Sequence, residues 1–322
     1  MEYLILLAGL FVIANIYIKL ALSFSIVDIP NNRSSHLNEI VRGGGIIIPI
    51  SALSWFTFSG FQFPIFFTGL IIISLISFLD DISQVKYKIR LIVQFVAILL
   101  LFAEIKLYQF PWWSWIPALI IAVGTINAYN FMDGINGITG GYSLSVIIGF
   151  WLVNNYQVEF ISNELIYFLM ISIFVFSYFN FRIKAKCFAG DVGSISIAFI
   201  IVFLLSKLII QSGNWLYILF LIIYGVDTGF TIIHRILKNE NIFLAHRKHL
   251  YQLLVNEYKI SHLKVASIYA FLQLIICLIV IIISGCYTSL FSGLIIGAII
   301  FGIFSTSFHL IRIYIYKKVR RL

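Results

Sequence analysis

The stretch Thr125–Gly141, TINAYNFMDGINGITGG, separates two apolar runs, Trp115–Val123 and Tyr142–Val153. One carboxylate and three carboxamides between membrane-length segments are expensive to hold near hydrocarbon, so their presence needs a reason. Glycines at 134, 137, 140 and 141 let the backbone turn and approach a ligand closely. Asn127, Asn130, Asp133 and Asn136 recur every third residue, a spacing that places neighbours on nearly one face of a helix. A generic polar loop has no need for such a one-sided row. Its position at the end of a membrane segment points to a site.

The rest of the chain agrees with a membrane setting. Of 322 residues, 61% are hydrophobic and only 11% charged, and the mean hydropathy is +1.03. That composition excludes a soluble globular domain and implies an all-α, polytopic integral membrane protein with one domain over 1–322. About eleven apolar segments are expected, near 3–24, 44–60, 63–79, 89–105, 112–130, 138–153, 161–180, 193–210, 214–232, 264–284 and 288–311. The first lacks a basic leader and is long enough to span, so it is expected to be a membrane helix rather than a signal peptide. With the N-terminus outside, 19 of 22 Lys and Arg fall in or beside the inner stretches 25–43, 80–88, 131–137, 181–192, 233–263 and 312–322. The positive-inside rule therefore predicts an outside N-terminus and a cytoplasmic C-terminus. It also accounts for the net charge of +9, which removes the case for nucleic acid. Cys187, Cys277 and Cys286 have no partner spacing and predict neither a disulfide framework nor a metal cluster.

The inner stretches hold the residues capable of chemistry. The outer connections are short and plain. Asp80, Asp81, Asp133 and Asp191 all lie at inner helix ends, with Asp227 deeper. A transporter is expected to keep such charges near the bilayer midplane instead. In the first inner loop Arg33, His36 and Arg42 precede Gly43–Gly45, and basic groups beside a helix start suit phosphate. Asp80 and Asp81 point about 100° apart on a helix, so they cannot serve one ion equivalently. Hard divalent cations such as Mg²⁺ take carboxylate oxygen, although the pair could also cap a helix end against Lys86 or Lys88. Asp191, between Gly190 and Gly193, sits where a carboxylate could cap a helix, bind a metal, or do both. His246 and His249 share a face if their segment is helical, and Leu250, Leu253 and Leu254 make it an interfacial amphipathic helix. Zinc is not expected from two His alone. With Arg247 and Lys248 beside them, these imidazoles suit a phosphate-rich ligand.

Taken in order, DD at 80–81, NAYNFMDGINGITGG at 127–141, AGDVGS at 189–194 and AHRKHL at 245–250 resemble the polyprenyl-phosphate N-acetylhexosamine-1-phosphate transferase superfamily. The start DIPNNRSSH, Asp28–His36, fits as well. The likeness covers nearly the whole chain. It implies a glycosyltransferase in which a polyprenyl (undecaprenyl) phosphate attacks a UDP-N-acetylhexosamine, releases UMP and leaves a lipid-linked sugar, with Mg²⁺ or Mn²⁺ as cofactor. The enzyme would lie in the inner (plasma) membrane with its site on the cytoplasmic face, and a homodimer is admitted. By resemblance Asp80, Asp81, Asp133 and His249 are catalytic. Asp191 and Asp81 hold the metal. Asn130, Asn136, His246, Arg247, Arg42 and Lys88 bind substrate. Asp227 and Arg235 match the ninth helix of the hexosamine branch.

Two departures stand out. Asn136 replaces a frequent aspartate, so it either faces the cation as a neutral ligand or donates its NH₂ to a phosphate or sugar oxygen; substrate recognition is the preferred expectation. The H-x-H-H pattern reads His249-Leu250-Tyr251-Gln252. This looks like the branch that uses deoxy-N-acetylhexosamines to start O-antigen. The rival class is a transporter or lipid flippase that uses the same acids as a gate, and a scaffold without catalysis is a third reading.

Overall fold

A computed structural model describes residues 1–30, 39–241, 247–286 and 290–319, with the backbone alone described at 286, 290–294 and 316–319. Among the described residues the chain is all-α apart from one two-stranded ribbon. Its helices are α1 Glu2–Ser23, α2 Ile47–Phe58, α3 Pro64–Ile82, α4 Tyr87–Glu104, α5 Trp115–Met132, α6 Ile138–Tyr156, α7 Asn163–Asn180, α8 Gly190–Ser212, α9 Ile222–Leu237, α10 Leu250–Asn256, α11 His262–Cys286 and α12 Leu290–Val319. Eight described helices are long and apolar enough to cross a membrane. The other three of the eleven expected segments are α2, with 12 residues, α4, which carries Lys88, Arg90 and Glu104, and α6, with its serines and asparagines. The protein is an all-α polytopic membrane protein.

The two apolar helices α1 and α8 meet different fates. About 17% of α1's apolar window is buried against 78% of α8's, so α8 is the axis of the bundle and α1 is peripheral. Helix α8 packs against α2, α3 and α5. Small residues allow the approach, as expected where lipid supplies no drive for helix pairing. A Cβ on Gly193 would lie 2.7 Å from the Gly45 Cα. Ser196 and Ser74 of α3 share a hydrogen bond of 2.8 Å. The second packing layer joins α6 to α11. There Tyr142 stacks on Tyr224 of α9 at 3.6 Å between centroids and donates to Gln273 of α11 at 3.0 Å.

The ribbon pairs β1 Val27–Asp28 with β2 Ile40–Val41 in antiparallel register, Val27 opposite Val41. It stitches the first inner loop to the segment entering α8. Phe188 N–H donates to the Val41 carbonyl at 2.8 Å, Gly44 to Phe188 at 2.8 Å and Gly45 to Ala189 at 3.1 Å. These backbone bonds bring two distant stretches of the chain to one place.

Candidate active site

The C-terminal ends of α3 and α5 and the N-terminal ends of α4 and α8 converge on an acidic cluster crossed by arginine. The pair Asp80 and Asp81 divides its labour, as the angle between adjacent helical residues requires. Asp81 is buried and accepts from the backbone N–H of Asp191 at 2.9 Å and of Val192 at 3.0 Å. It therefore satisfies the orphan amides at the start of α8, where the helix dipole also favours a negative charge. Gly190 has φ +69°, and a Cβ there would lie 2.5 Å from an Asp81 oxygen, so this junction requires glycine. Arg42 Nε stands 3.7 Å from the same carboxylate. Each oxygen of Asp81 thus accepts a backbone N–H, and Asp81 holds the start of α8 in place.

Asp80 faces the other way. One oxygen accepts from Val85 N–H at 2.8 Å, closing the α3–α4 turn. The other pairs with the Arg90 guanidinium. The same Arg90 nitrogen lies 3.0 Å from Asp191. Asp191 in turn accepts from the Asn130 amide at 2.9 Å. The chain Asp80–Arg90–Asp191–Asn130 thus links four helices through side chains that are only partly exposed. Sequence reasoning misses Arg90 and assigns Lys88 to substrate. Lys88 is exposed, and two residues along a helix turn a side chain by about 200°. No local pattern distinguishes the two basic residues.

The row read from Asn127 to Asn136 is dispersed because α5 ends at Met132. Asn127 lies beside an apolar groove and donates back to Val123 at 2.8 Å. Asn130 meets Asp191. Asp133, just past the helix, accepts from the Thr139 hydroxyl at 2.6 Å. Burial pushes the Asp133 carboxyl up to about 7; the Thr139 bond lowers it and nearby Asp191 raises it. Asn136 is 3% exposed, and its NH₂ donates to the carbonyls of Arg182 at 2.8 Å and Ile183 at 3.1 Å. The donor group expected at substrate is spent on the α7–α8 connection. A second strut, Asn180, ties the same two loops. It accepts from Gly137 N–H at 2.7 Å and donates to the Cys187 carbonyl at 2.8 Å.

Arg42 is the other cation of the cluster. Burial works to lower its pKa, and the carboxylates of Asp81, Asp191, Asp28 and Asp80 outweigh it, leaving the group held above its ordinary value. The Tyr17 hydroxyl fixes the loop by donating to the Arg42 carbonyl at 2.7 Å.

The histidine segment also differs from its expectation. Arg33, His36 and His246 lie outside the described residues. His249 has extended backbone as the N-cap of α10, ahead of that helix rather than within it. The His249 ring is 2% exposed, with Nδ1 3.4 Å from Asp227. The ring therefore supports the loop from inside. Asp227 is its hub, accepting from Leu250 N–H at 2.9 Å and from the Tyr269 hydroxyl at 2.7 Å. Buried Arg312 of α12 donates to the Lys248 carbonyl at 3.1 Å. Arg247 and Lys248 are half-buried, with Lys248 paired to Glu240.

Between α5 and α9 runs an apolar groove of about 350 Å³, to which Phe301 of α12 also contributes. Gly124, Gly225 and Gly229 face open space there, which leaves the groove its width. Asn127 and Tyr129 line it, three residues and one residue before Asn130 in α5. Among the described residues, no three His, Cys, Asp or Glu side chains group to hold a metal ion. Mg²⁺ in phosphoryl-transfer sites uses only one or two carboxylates and completes its shell with water and phosphate. Asp191 and Asp80, with the Asn130 amide, fit that smaller requirement.

Residues 63–209, from α3 to most of α8, match the model of glycosyl transferase family 4. The chain is similar to a Bacillus subtilis protein named "Probable undecaprenyl-phosphate N-acetylglucosaminyl 1-phosphate transferase", with 28% identity over 81% of this chain and 78% of that protein. It is 30% identical to the undecaprenyl-phosphate alpha-N-acetylglucosaminyl 1-phosphate transferase of Yersinia pestis, over 58% of this chain and 56% of that one. A phospho-N-acetylmuramoyl-pentapeptide-transferase of Thermotoga maritima is 27% identical over 40% of this chain and 48% of its own length. The matched region holds the Asp80–Arg90–Asp191–Asn130 cluster and Asp133, and these comparisons support the superfamily of polyprenyl-phosphate N-acetylhexosamine-1-phosphate transferases.

Proposed function

We propose that this protein transfers an N-acetylhexosamine-1-phosphate from a UDP-sugar to a polyprenyl phosphate and releases UMP, as the first membrane step in making a cell-envelope polysaccharide. The observation that carries the reading is the mixed cluster of carboxylates, arginine and carboxamide where α3, α4, α5 and α8 meet, in a chain that also has an apolar groove between α5 and α9. An isoprenoid tail suits the groove between α5 and α9. The names of the relatives support an undecaprenyl acceptor and an N-acetylglucosamine-type donor. The distribution of Lys and Arg supports a cytoplasmic site.

In this reaction a lipid phosphate oxygen forms a bond to the β-phosphorus of the UDP-sugar. The bond from that phosphorus to the bridging oxygen breaks, and UMP departs with the electron pair. A phosphate monoester has its second pKa near ~6, so the nucleophile needs no general base. The obstacle is the approach of two anions. Arg90 and Arg42 offer positive charge beside the cluster, and Arg247 and Lys248 add more from the α9–α10 side. Mg²⁺ held by Asp191 and Asp80, with Asn130 alongside, would neutralise the diphosphate and ease departure of UMP. Asp81 keeps the start of α8, and hence Asp191, in place. Asp133 remains close enough to Asp191 to influence the charge of the site.

Purified protein in detergent, given undecaprenyl phosphate, Mg²⁺ and a panel of UDP-N-acetylhexosamines including the 6-deoxy forms, is expected to release UMP and form a lipid-linked sugar. No UMP from any donor in the panel would overturn the reading. The donor that turns over fastest identifies the sugar and tests the O-antigen expectation.

A further inference from the structure

Tyr251 stands on α10, two residues after His249, and is fully buried. Its hydroxyl donates to the carbonyl of Phe131 at 2.9 Å, across 120 residues of sequence. That carbonyl belongs to the last turn of α5, where four C=O groups lack intrahelical partners. The hydroxyl also lies where Gly134 would carry a side chain: a Cβ there would sit 2.2 Å from the Tyr251 oxygen and 3.1 Å from the adjacent ring carbon. Gly134 is absent from the glycines with positive φ, so its backbone does not demand glycine. Space for this hydroxyl does. The His249 ring lies against Phe131 and Tyr251, with centroids 6.2 and 5.9 Å away. Gln252 completes the local arrangement by accepting from His249 N–H at 3.3 Å.

We propose that Tyr251 is a positioning residue: its hydroxyl, seated over Gly134, fastens the segment bearing Arg247, Lys248 and His249 to the turn bearing Asn130 and Asp133. This rests on the proposed transferase function, in which those two segments supply the basic and acidic halves of the donor site. Both sit on ends of elements and share no regular secondary structure. The Tyr251–Phe131 hydrogen bond therefore acts directly on their separation. Asp227 and Arg312 hold the basic segment through the Leu250 N–H and the Lys248 carbonyl. In this chain Tyr251 and Gln252 occupy the last two places of the histidine pattern, and both act through hydrogen bonds that an imidazole could not make in the same way.

The test is a double-mutant cycle on the full chain in detergent, with Tyr251→Phe, Gly134→Ala and the two combined. Melting temperature and the kcat and KM for the UDP-sugar are read for each. Tyr251→Phe is expected to raise donor KM about threefold to tenfold with kcat nearly unchanged, the size of one lost hydrogen bond. Gly134→Ala in the otherwise native chain forces a methyl group onto the hydroxyl and is expected to cost about tenfold or more in kcat/KM, together with a lower melting temperature. When Tyr251→Phe is also present the same methyl meets only ring carbon, so the combined variant should recover much of that loss. Equal damage from Gly134→Ala with and without Tyr251→Phe, in melting temperature and in KM, would sink the proposal. If the wild-type chain releases no UMP at all, the transferase reading fails instead, and the cycle in melting temperature still decides whether the hydroxyl and Gly134 are coupled.

Discussion

Asn136→Asp separates the structural account of this loop from the account that sequence favours. The substitution keeps size and shape and changes only NH₂ to oxygen. The native NH₂ donates to two backbone carbonyls, of Arg182 and Ile183, in a place 3% exposed. An ionised aspartate there loses both bonds and sets a negative oxygen against two carbonyl oxygens. Each buried polar group left unsatisfied costs about 1–3 kcal/mol, so a loss of roughly 2–5 kcal/mol is expected. Against a typical net stability of about 5–15 kcal/mol, that is a large fraction. The pH dependence has a definite sign. A carboxyl that is disfavoured in its charged form has a folded-state pKa above its unfolded value. Its protonated form can donate one of the two missing bonds, so the deficit should be smallest at low pH and grow as pH rises through the raised pKa. The assay is thermal unfolding of wild type, Asn136→Asp and Asn136→Ala in the same detergent at pH 5 and pH 8, with EDTA to keep cations out. The expected order at pH 8 is wild type, then Ala, then Asp, with the Asp gap narrowing at pH 5. An Asp variant that melts at or above wild type at pH 8 would refute the strut reading and return position 136 to the cation or the substrate.

The other predictions concern the cluster. Asp81→Asn places an NH₂ against a backbone N–H at the start of α8 and should lower the melting temperature by the equivalent of about 1–3 kcal/mol. Asp80→Asn should leave melting nearly unchanged and abolish UMP release, and the opposite ranking of the two variants would contradict their assigned roles. Arg90→Gln removes the cation seated between Asp80 and Asp191, so the thermal stabilisation produced by added Mg²⁺ should increase while turnover falls. An unchanged Mg²⁺ response would mean that the ion does not share this place. For Asp133, whose folded pKa of about 7 lies above that of a free carboxyl, the contribution to stability is fully present below about pH 4 and is lost as pH rises through 7. Metal-free protein should therefore melt lower at pH 8 than at pH 5, and Asp133→Asn should reduce that fall; an identical fall in both proteins counts against the raised pKa.

The class of protein, its helical segments and the polar stretches between them were legible in the sequence. Apolar length and the placement of Lys and Arg are one-dimensional properties, and the bilayer imposes them residue by residue. The cluster residues Asp80, Asp133, Asp191 and Asn130 were legible for a related reason. Polar groups at helix ends of a membrane protein are few, so each one stands out. Three matters had to wait for the tertiary structure. Helices α1 and α8 are equally apolar because lipid and protein core are equally apolar environments, and only packing assigns α8 to the axis. The choice between Asp80 and Asp81, and between Lys88 and Arg90, depends on which way a side chain points at a junction of four helices. Local spacing carries no record of that junction. The fates of Asn136, His249 and Tyr251 depend on partners 46, 22 and 120 residues away in sequence. A side chain's hydrogen-bonding capacity is written in its identity, but the partner that uses it is chosen by the fold.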